Sequence, residues 1–238
     1  MKAMIFAAGF GTRLQPLTAQ IPKVLVPVKG RPLLEWIIDH LSTHGISEFV
    51  INTHHLHEEI EKYLFQNPCR YPITLSYEPK ILGTGGGLYE SREILGSSDF
   101  MACNGDVASN ADLTALLAHH RDNKPMATLA VTKRESASML LVDTKGDLVG
   151  IQRNGIQQIR REPDGVTESY HFCGIHIISS KLLTEMKPPV EFSITDEYLK
   201  LLEEGIRISV WDINDAYWES IEDRPILERV NDTFPGLI

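Results

Sequence analysis

The first 34 residues combine a glycine loop with a group of basic side chains. The loop runs from Ala7 to Thr18 and contains Gly9 and Gly11, directly after a short apolar stretch. Glycines that follow a buried strand let the backbone approach a phosphate closely and turn N–H groups toward it. Residues 1–34 contain five basic and no acidic side chains, although the whole chain has a net charge of −9. This local positive charge predicts a binding site for a small anion.

Two common phosphate-binding motifs do not fit this loop. The dinucleotide-binding fingerprint requires a third glycine where Leu14 stands, and an acidic residue about 20 positions later, where the sequence has Lys29-Gly30-Arg31. A P-loop requires the pattern G-K-[ST], which occurs nowhere in the chain. The residues therefore disfavour a nicotinamide-dependent oxidoreductase and a P-loop nucleotidase.

Several separated segments match parts of one long signature. The pattern G-x-G-T-R-x-x-P-L-T begins at Gly9, and Lys23 follows between two prolines. Farther along are Gly83-Thr84-Gly85-Gly86-Gly87, Asn104-Gly105-Asp106 and Tyr217-Trp218. Together these segments, spread over residues 7–223, resemble the sugar-1-phosphate nucleotidyltransferases (nucleotide-sugar pyrophosphorylases) in their short form. The segment Asn52-Thr53-His54-His55 is similar to the N-acetylmuramate-1-phosphate uridylyltransferase branch.

The resemblance implies an enzyme that joins a nucleoside triphosphate to a sugar 1-phosphate, giving a nucleotide sugar and pyrophosphate, with Mg²⁺ as its cofactor. The similarity to the uridylyltransferase branch favours uridylyl transfer, and guanylyl transfer to a mannose- or heptose-type 1-phosphate is the alternative. A rival of another class is a protein that binds a nucleotide sugar without catalysis.

The resemblance also implies roles for single residues. Arg13 and Lys23 are the expected catalytic residues, because a guanidinium fork and an ammonium charge both suit phosphate oxygens. Asn104 is expected to bind substrate, and Asp106 is expected to bind the metal. The nucleotide is expected to contact Ala8, Gly9, Gly11, Thr12, Glu78, Gly83 and Thr84. For Glu78 the alternative is a position on the surface. For His54 and His55 the two alternatives are contact with sugar hydroxyls and a position in a solvent-exposed loop.

One segment departs from the family pattern. The family carries a second metal-binding aspartate after its closing tryptophan, and here Ser220 replaces it while Glu222 replaces a glycine. In an extended segment Ser220 and Glu222 share one face and Glu219 points to the other. We therefore expect Glu222, or a water held by Ser220, to complete the metal site. The alternative is reduced or lost catalysis with nucleotide binding retained.

The pattern of apolar residues predicts an α/β fold with a Rossmann-like mixed, mainly parallel sheet flanked by helices. We expect one domain over residues 1–238, with a nucleotide-binding part over about 1–125, a sugar-binding part over about 126–238 and a β-rich insertion around 135–175. Helices are expected from Pro32 to Gly45 and over Leu88–Leu95, and Asn110 is expected to cap the helix after it. A further helix is expected with Leu56, Ile60 and Leu64 on one face, ending before Pro68. The other predicted strands and helices are Lys2–Ala7, Glu48–Thr53, Ile73–Tyr77, Asp99–Cys103, Met126–Lys133, Met139–Asp143, Leu148–Gln152, Tyr170–Ile178, Lys181–Met186, Ile194–Glu203, Arg207–Trp211 and Asp223–Val230.

Composition limits the possible partners and location. An acidic chain is a poor general binder of nucleic acid or of an anionic membrane. No apolar run reaches the length of about 18 residues that a transmembrane helix requires. Three cysteines without a C-x-x-C pair indicate reduced thiols and a cytoplasmic protein. The sequence does not indicate the oligomeric state.

Overall fold

A computed structural model describes residues 1–186 and 191–237 of the chain. Within these residues the strands, numbered β1 to β14 in chain order, are Lys2–Phe6, Pro27–Val28, Arg31–Pro32, Glu48–Thr53, Ile73–Tyr77, Phe100–Asn104, Val107–Ser109, Ala127–Thr132, Ser138–Val142, Leu148–Arg153, Ile156–Ile159, Glu168–Ile178, Ile208–Asp212 and Trp218–Ser220. The helices, numbered α1 to α8, are Leu33–Thr43, His57–Gln66, Gly83–Glu90, Arg92–Leu95, Leu113–Asn123, Lys181–Glu185, Ile194–Glu203 and Arg224–Thr233.

Ten of the strands form one mixed sheet. Its order is β11-β10-β9-β12-β6-β1-β4-β5, and β8 joins it by pairing with both β12 and β13. The strands β6, β1, β4 and β5 run parallel, since helical segments return the chain to the same edge between them. The long strand β12 runs antiparallel to β6, β8 and β9. The sequence-based prediction of a mixed α/β sheet flanked by helices is confirmed.

The sheet separates two apolar layers. Successive side chains of β1 alternate between them, with Ala3 and Ile5 in one layer and Met4 in the other. Helix α1 packs on the first layer through its buried apolar stripe, and α7 packs on the second with Tyr198 fully buried. The close packing of these buried residues holds α1 and α7 against the two faces of the sheet.

Three strand ends meet at one edge of the sheet. Phe6, the last residue of β1, lies in register with Asn52 of β4 on one side and with Asn104 of β6 on the other. The glycine loop that follows β1 therefore emerges between these two asparagines. In parallel sheets ligands bind at this carboxyl edge.

Some local predictions were wrong. Asn110 does not cap α5; the Asp112 carboxylate does, by accepting hydrogen bonds from the N–H groups of Thr114 and Ala115. Asn110 instead accepts a hydrogen bond from the Tyr217 N–H. The run of glycines expected to be a loop forms the first turn of α3, and α4 follows it as a separate short helix.

The β-rich segment expected around residues 135–175 is present as β9, β10, β11 and the first part of β12. The sequence did not reveal the two-stranded sheet of β7 and β14, which lies beside the candidate site. The three cysteines are not in disulfides, and burial raises the pKa of the Cys103 thiol. Among the described residues, no helix is both long and apolar enough to cross a bilayer.

Candidate active site

A cleft of about 330 Å³ opens at the carboxyl edge of the parallel strands. Its walls come from the glycine loop, from the ends of β4 and β6, from the start of α3 and from the chain after β14. All but one of the residues predicted for the site line this cleft: Ala8, Gly9, Gly11, Thr12, Arg13, Lys23, Gly83, Thr84, Asn104, Asp106 and Glu222. Glu78 does not line it.

The glycine loop is held in a tight conformation beside Thr18. Gly11 has a φ of +63°, which side chains other than glycine rarely adopt, and a Cβ there would lie 2.9 Å from the Thr18 Cγ2 atom. The Thr18 hydroxyl donates a 2.6 Å hydrogen bond to the Gly11 carbonyl. No atom lies within 4 Å of a Cβ built on Gly9, so this side of the loop is open to a ligand.

Lys23 and Asp106 form an ion pair inside the cleft. The distance from the Lys23 Nζ atom to the Asp106 Oδ2 atom is 2.5 Å, and both side chains are mostly buried. The neighbouring Gly105 donates its N–H to the Phe6 carbonyl, and a Cβ there would overlap that carbonyl oxygen and lie 2.5 Å from Val24 Cγ1. The turn after β6 is thus packed directly against the end of β1.

The second oxygen of Asp106 is suited to a cation. Asp106 Oδ1 is buried and has no hydrogen-bond partner among the described residues. A buried carboxylate oxygen without a partner is unfavourable, and a divalent cation would satisfy it. The described residues contain no group of three or more His, Cys, Asp or Glu side chains arranged for a metal. The donor set fits Mg²⁺, which takes one or two carboxylates and fills its shell with water and phosphate oxygens.

Glu222 enters the cleft opposite Arg13. The Arg13 Nη1 atom donates to the Glu222 Oε2 atom, and both side chains are partly exposed. The chain is brought here by β14 and by a 2.8 Å hydrogen bond from the Ile221 N–H to the Asp106 carbonyl. The two carboxylates predicted for the metal, Asp106 and Glu222, therefore line the same cleft.

The neighbours of Glu222 point elsewhere. Glu219 is buried and accepts hydrogen bonds from Arg134 at 2.8 Å and Arg229 at 3.0 Å, away from the cleft. Ser220 pairs with Val107 in the small sheet and does not line the cleft. Of the two options considered for completing the metal site, the geometry therefore favours the Glu222 carboxylate.

Glu78 lies beneath the cleft and makes no contact with its open space. Its Oε1 atom accepts a 2.7 Å hydrogen bond from the Asn52 Nδ2 atom, and its Oε2 atom accepts one of 3.0 Å from the Leu82 N–H. Asn52 in turn accepts a 2.8 Å hydrogen bond from the Ala7 N–H. Glu78 is fully buried, and burial raises the pKa of its carboxyl group. Both earlier interpretations of Glu78, a surface residue and a direct contact to base or ribose, disagree with this position.

The start of α3 is clamped by the segment before α7. The Gly85 N–H donates to the Phe192 carbonyl at 3.0 Å, and the Thr84 hydroxyl accepts a 3.0 Å hydrogen bond from the Ile194 N–H. A Cβ on Gly83 or Gly85 would overlap Phe192. These glycines are needed for this close approach.

Other residues support the site from outside. A Cβ on Gly174, whose φ is +70°, would lie 2.5 Å from the Asn104 Nδ2 atom, so glycine leaves room for the Asn104 amide. The rings of His54 and His55 bond the carbonyls of Glu78 and Thr18, which favours a supporting role over sugar binding. Sequence reasoning missed Asn52 as a lining residue, although its place at the end of a strand was a usable signal.

Comparison with known proteins places these features in a family. The sequence model described as "Nucleotidyl transferase" matches residues 2–222. A UTP–glucose-1-phosphate uridylyltransferase of Synechocystis sp. is 29% identical over 264 residues, covering all of this chain and 66% of that relative. An N-acetylmuramate alpha-1-phosphate uridylyltransferase of Neisseria meningitidis serogroup B is 41% identical over 118 residues, 48% of this chain and 51% of that relative. The chain thus spans about half to two thirds of the length of these relatives.

The fold is also shared with solved structures. HddC from Yersinia pseudotuberculosis, solved in complex with GMP-PN, superimposes with a TM-score of 0.80. The superposition covers 98% of this chain and 99% of HddC at 21% sequence identity. At this identity the likeness concerns the fold alone.

Proposed function

Because this chain belongs to the nucleotidyl transferase family, we propose that it transfers a nucleotidyl group from a nucleoside triphosphate to a sugar 1-phosphate. The observation that carries the proposal is the pairing of two cations with two carboxylates in one cleft. Lys23 pairs with Asp106, and Arg13 pairs with Glu222. The products are a nucleotide sugar and pyrophosphate.

The reaction sets a clear electrostatic task. An oxygen of the sugar phosphate attacks the α-phosphorus in line with the departing pyrophosphate, and both reactants are anionic. Catalysis then depends mainly on alignment and charge neutralisation. A triphosphate in the cleft would draw Lys23 and Arg13 from their carboxylate partners to its own oxygens. We assign Lys23 to the attacking and α-phosphates and Arg13 to the triphosphate and the departing pyrophosphate.

The same exchange would free the two carboxylates for a divalent metal. We propose that Asp106 and Glu222 hold Mg²⁺, supported by the unpartnered buried oxygen of Asp106. The ion supplies positive charge that neutralises phosphate oxygens when bound. Asp106 is the better fixed of the two ligands, because its side chain is more buried than that of Glu222.

The glycine loop and the start of α3 would bind the nucleotide mainly through the backbone. We assign Ala8, Gly9, Gly11 and Thr12 to the phosphates and ribose, and Gly83 and Thr84 to the base. Asn104, at the end of β6, is assigned to the substrate phosphate or sugar. Glu78 supports this pocket from beneath, through Asn52 and Leu82.

Uridylyl transfer is the form of the reaction that we favour. Both curated relatives described above are named as uridylyltransferases of sugar 1-phosphates. Guanylyl transfer to a mannose- or heptose-type sugar is the alternative within the same chemistry. We further propose one domain, because β12 pairs with strands from both halves of the chain and makes the sheet continuous.

Pyrophosphate release tests the proposal. The purified chain would be mixed with UTP, GTP, CTP, ATP or dTTP, each against a panel of sugar 1-phosphates and Mg²⁺. We expect release with UTP and at least one sugar, and we expect Asp106→Asn to abolish it while the variant stays folded. Nucleotide-sugar binding without release for any pair would contradict catalysis and favour a non-catalytic binding protein.

A further inference from the structure

A second cleft lies at the opposite edge of the sheet from the candidate active site. It has a volume of about 420 Å³, and its walls include Asp99, just before β6, and Met126, just before β8. The active site lies where β6 ends, so the five residues of this strand separate the two clefts by roughly 17 Å. The second cleft is therefore a distinct place on the molecule.

Three basic side chains line this second cleft. They are Arg121 of α5, Lys124 directly after that helix and Lys181 of α6, and all three are exposed. Most lysines and arginines of this acidic protein form ion pairs. Within residues 1–186 and 191–237, those that form none are Lys29, Arg70, Lys80, Arg121, Lys124 and Lys181. Half of them therefore gather in one cleft.

The acidic residue of the cleft is already engaged. Asp99 Oδ1 accepts a 3.1 Å hydrogen bond from the Ser180 N–H, and its Oδ2 atom lies 3.7 Å from His120 Nε2. His120 is buried, and its Nδ1 atom bonds the Thr128 hydroxyl. Asp99 forms no ion pair with the three basic side chains, so the described side chains of the cleft carry three positive charges against one negative charge.

We propose that this cleft binds a phosphorylated small molecule. Arg121 lies on α5, Lys124 directly follows that helix and Lys181 lies on α6. Their three positive charges suit a group with more than one negative charge, and a guanidinium fork suits phosphate oxygens. The volume lies within the range of pockets that take organic ligands, about 300–1,000 Å³. The ligand is therefore a phosphate ester or diphosphate whose charged group contacts Arg121, Lys124 and Lys181.

A site-resolved titration tests this proposal. The isotope-labelled chain would be titrated with inorganic pyrophosphate while the backbone amide signals of Met126 and of residues 179–181 are followed by NMR. We expect saturating shifts of these signals, separate from those at Gly9 and Gly11 in the active site. Citrate at equal ionic strength serves as the carboxylate control and is expected to bind at least tenfold more weakly.

A pair of charge-matched variants completes the test. Arg121→Gln/Lys181→Gln should weaken pyrophosphate binding at residues 179–181 at least tenfold and leave the active-site shifts unchanged. Lys29→Gln/Arg70→Gln removes the same charge elsewhere and should change neither the binding at residues 179–181 nor the active-site shifts. Three results would overturn the proposal: no saturating shifts at this cleft, shifts that persist in Arg121→Gln/Lys181→Gln, or equal binding of citrate.

Discussion

At the scale of single residues, the cleft is a set of charges that already balance one another. Lys23 and Arg13 each contact one carboxylate, and these four side chains form the upper layer of the site. Beneath them Glu78 and Asn52 are hydrogen-bonded to each other and form its lower layer. The two layers differ in burial, since Glu78 is fully buried whereas Arg13 is largely exposed. We therefore expect substitutions in the upper layer to affect turnover and those in the lower layer to affect nucleotide binding.

The Lys23→Met variant tests the upper layer. It keeps the length of the side chain but removes the charge that we assign to the phosphates, so kcat should fall about 100- to 1,000-fold. Lys29→Met is the matched control, because Lys29 is exposed, lies outside the cleft and forms no ion pair in the described part of the chain. Steady-state pyrophosphate release measures both. Near-normal kcat in Lys23→Met would remove Lys23 from the mechanism.

The Glu78→Gln variant tests the lower layer. Glutamine offers one acceptor oxygen where Asn52 and the Leu82 N–H require two, so one buried donor loses its partner at a cost of about 1–3 kcal/mol. We expect the KM for the nucleotide to rise about fivefold or more with kcat little changed. Glu90→Gln, on an exposed position of α3, is the control. If kcat fell and KM stayed constant, a positioning role for Glu78 would be wrong.

At the scale of elements, the site depends on contacts between segments that are distant in the sequence. The segment before α7 holds the first turn of α3, and β14 pairs with β7 next to Asp106. Each contact consists of only a few hydrogen bonds, and the contact of α3 also requires glycines. Together they fix both walls of the cleft.

The Gly85→Ala variant tests the contact of α3 with Phe192. In an ordinary helix interior this change stabilises the protein by about 1 kcal/mol. Here the added Cβ would overlap the Phe192 ring, so we expect destabilisation of about 1–3 kcal/mol in urea unfolding. Adding Phe192→Ala should recover much of this loss in the double variant. Stabilisation by Gly85→Ala alone would show that the helix does not press on this ring.

The elements also show how far the sequence predicts this fold. β4, β5 and α7 have the predicted bounds. A short apolar run marks β4, apolar and polar residues alternate in β5, and apolar residues recur at helical spacing in α7. Helix α3 begins earlier than predicted, since its glycines have poor helix propensity and Phe192, more than 100 residues away, holds them in place. The three-residue strands β7 and β14 carry too few residues to show a period.

The same limit applies to the candidate site. Its motifs are contiguous in the sequence, so every lining residue with a polar side chain was predicted except Asn52. The sequence also did not show that Glu78 is buried. Asn52 stands at the end of a predicted strand, but only the order of the strands shows that this strand lies beside β1. The burial of Glu78 likewise depends on neighbours that the sequence does not show. The basic cleft at the opposite edge is likewise built from separate segments whose meeting only the fold reveals.

At the scale of the whole molecule, two buried histidines make stability depend on pH. Burial lowers the pKa of His40 to about 4 and that of His176 to about 3. Both remain neutral in the folded protein where the unfolded chain, with a pKa of about 6.5, binds protons. Their contribution to stability is therefore present above pH 6.5 and is lost as the pH falls from 6.5 toward 3–4.

The His176→Asn variant tests this dependence. Asparagine can still bond the Tyr198 hydroxyl, the partner of His176 at 2.7 Å, but it cannot take up a proton. Between pH 7 and pH 5 each buried histidine should cost about 2 kcal/mol of unfolding free energy, and the variant should lose about 2 kcal/mol less than the parent. The control is His57→Asn, because His57 is partly exposed. Equal pH dependence in parent and His176→Asn would contradict the prediction.

The most direct measurement is a crystal structure with Mn²⁺ and a non-hydrolysable UTP analogue, in which anomalous scattering locates the metal. Our account predicts a peak between the carboxylates of Asp106 and Glu222, with Lys23 and Arg13 on phosphate oxygens in place of their present partners. A metal bound elsewhere, or a triphosphate that leaves the Lys23–Asp106 pair intact, would contradict it.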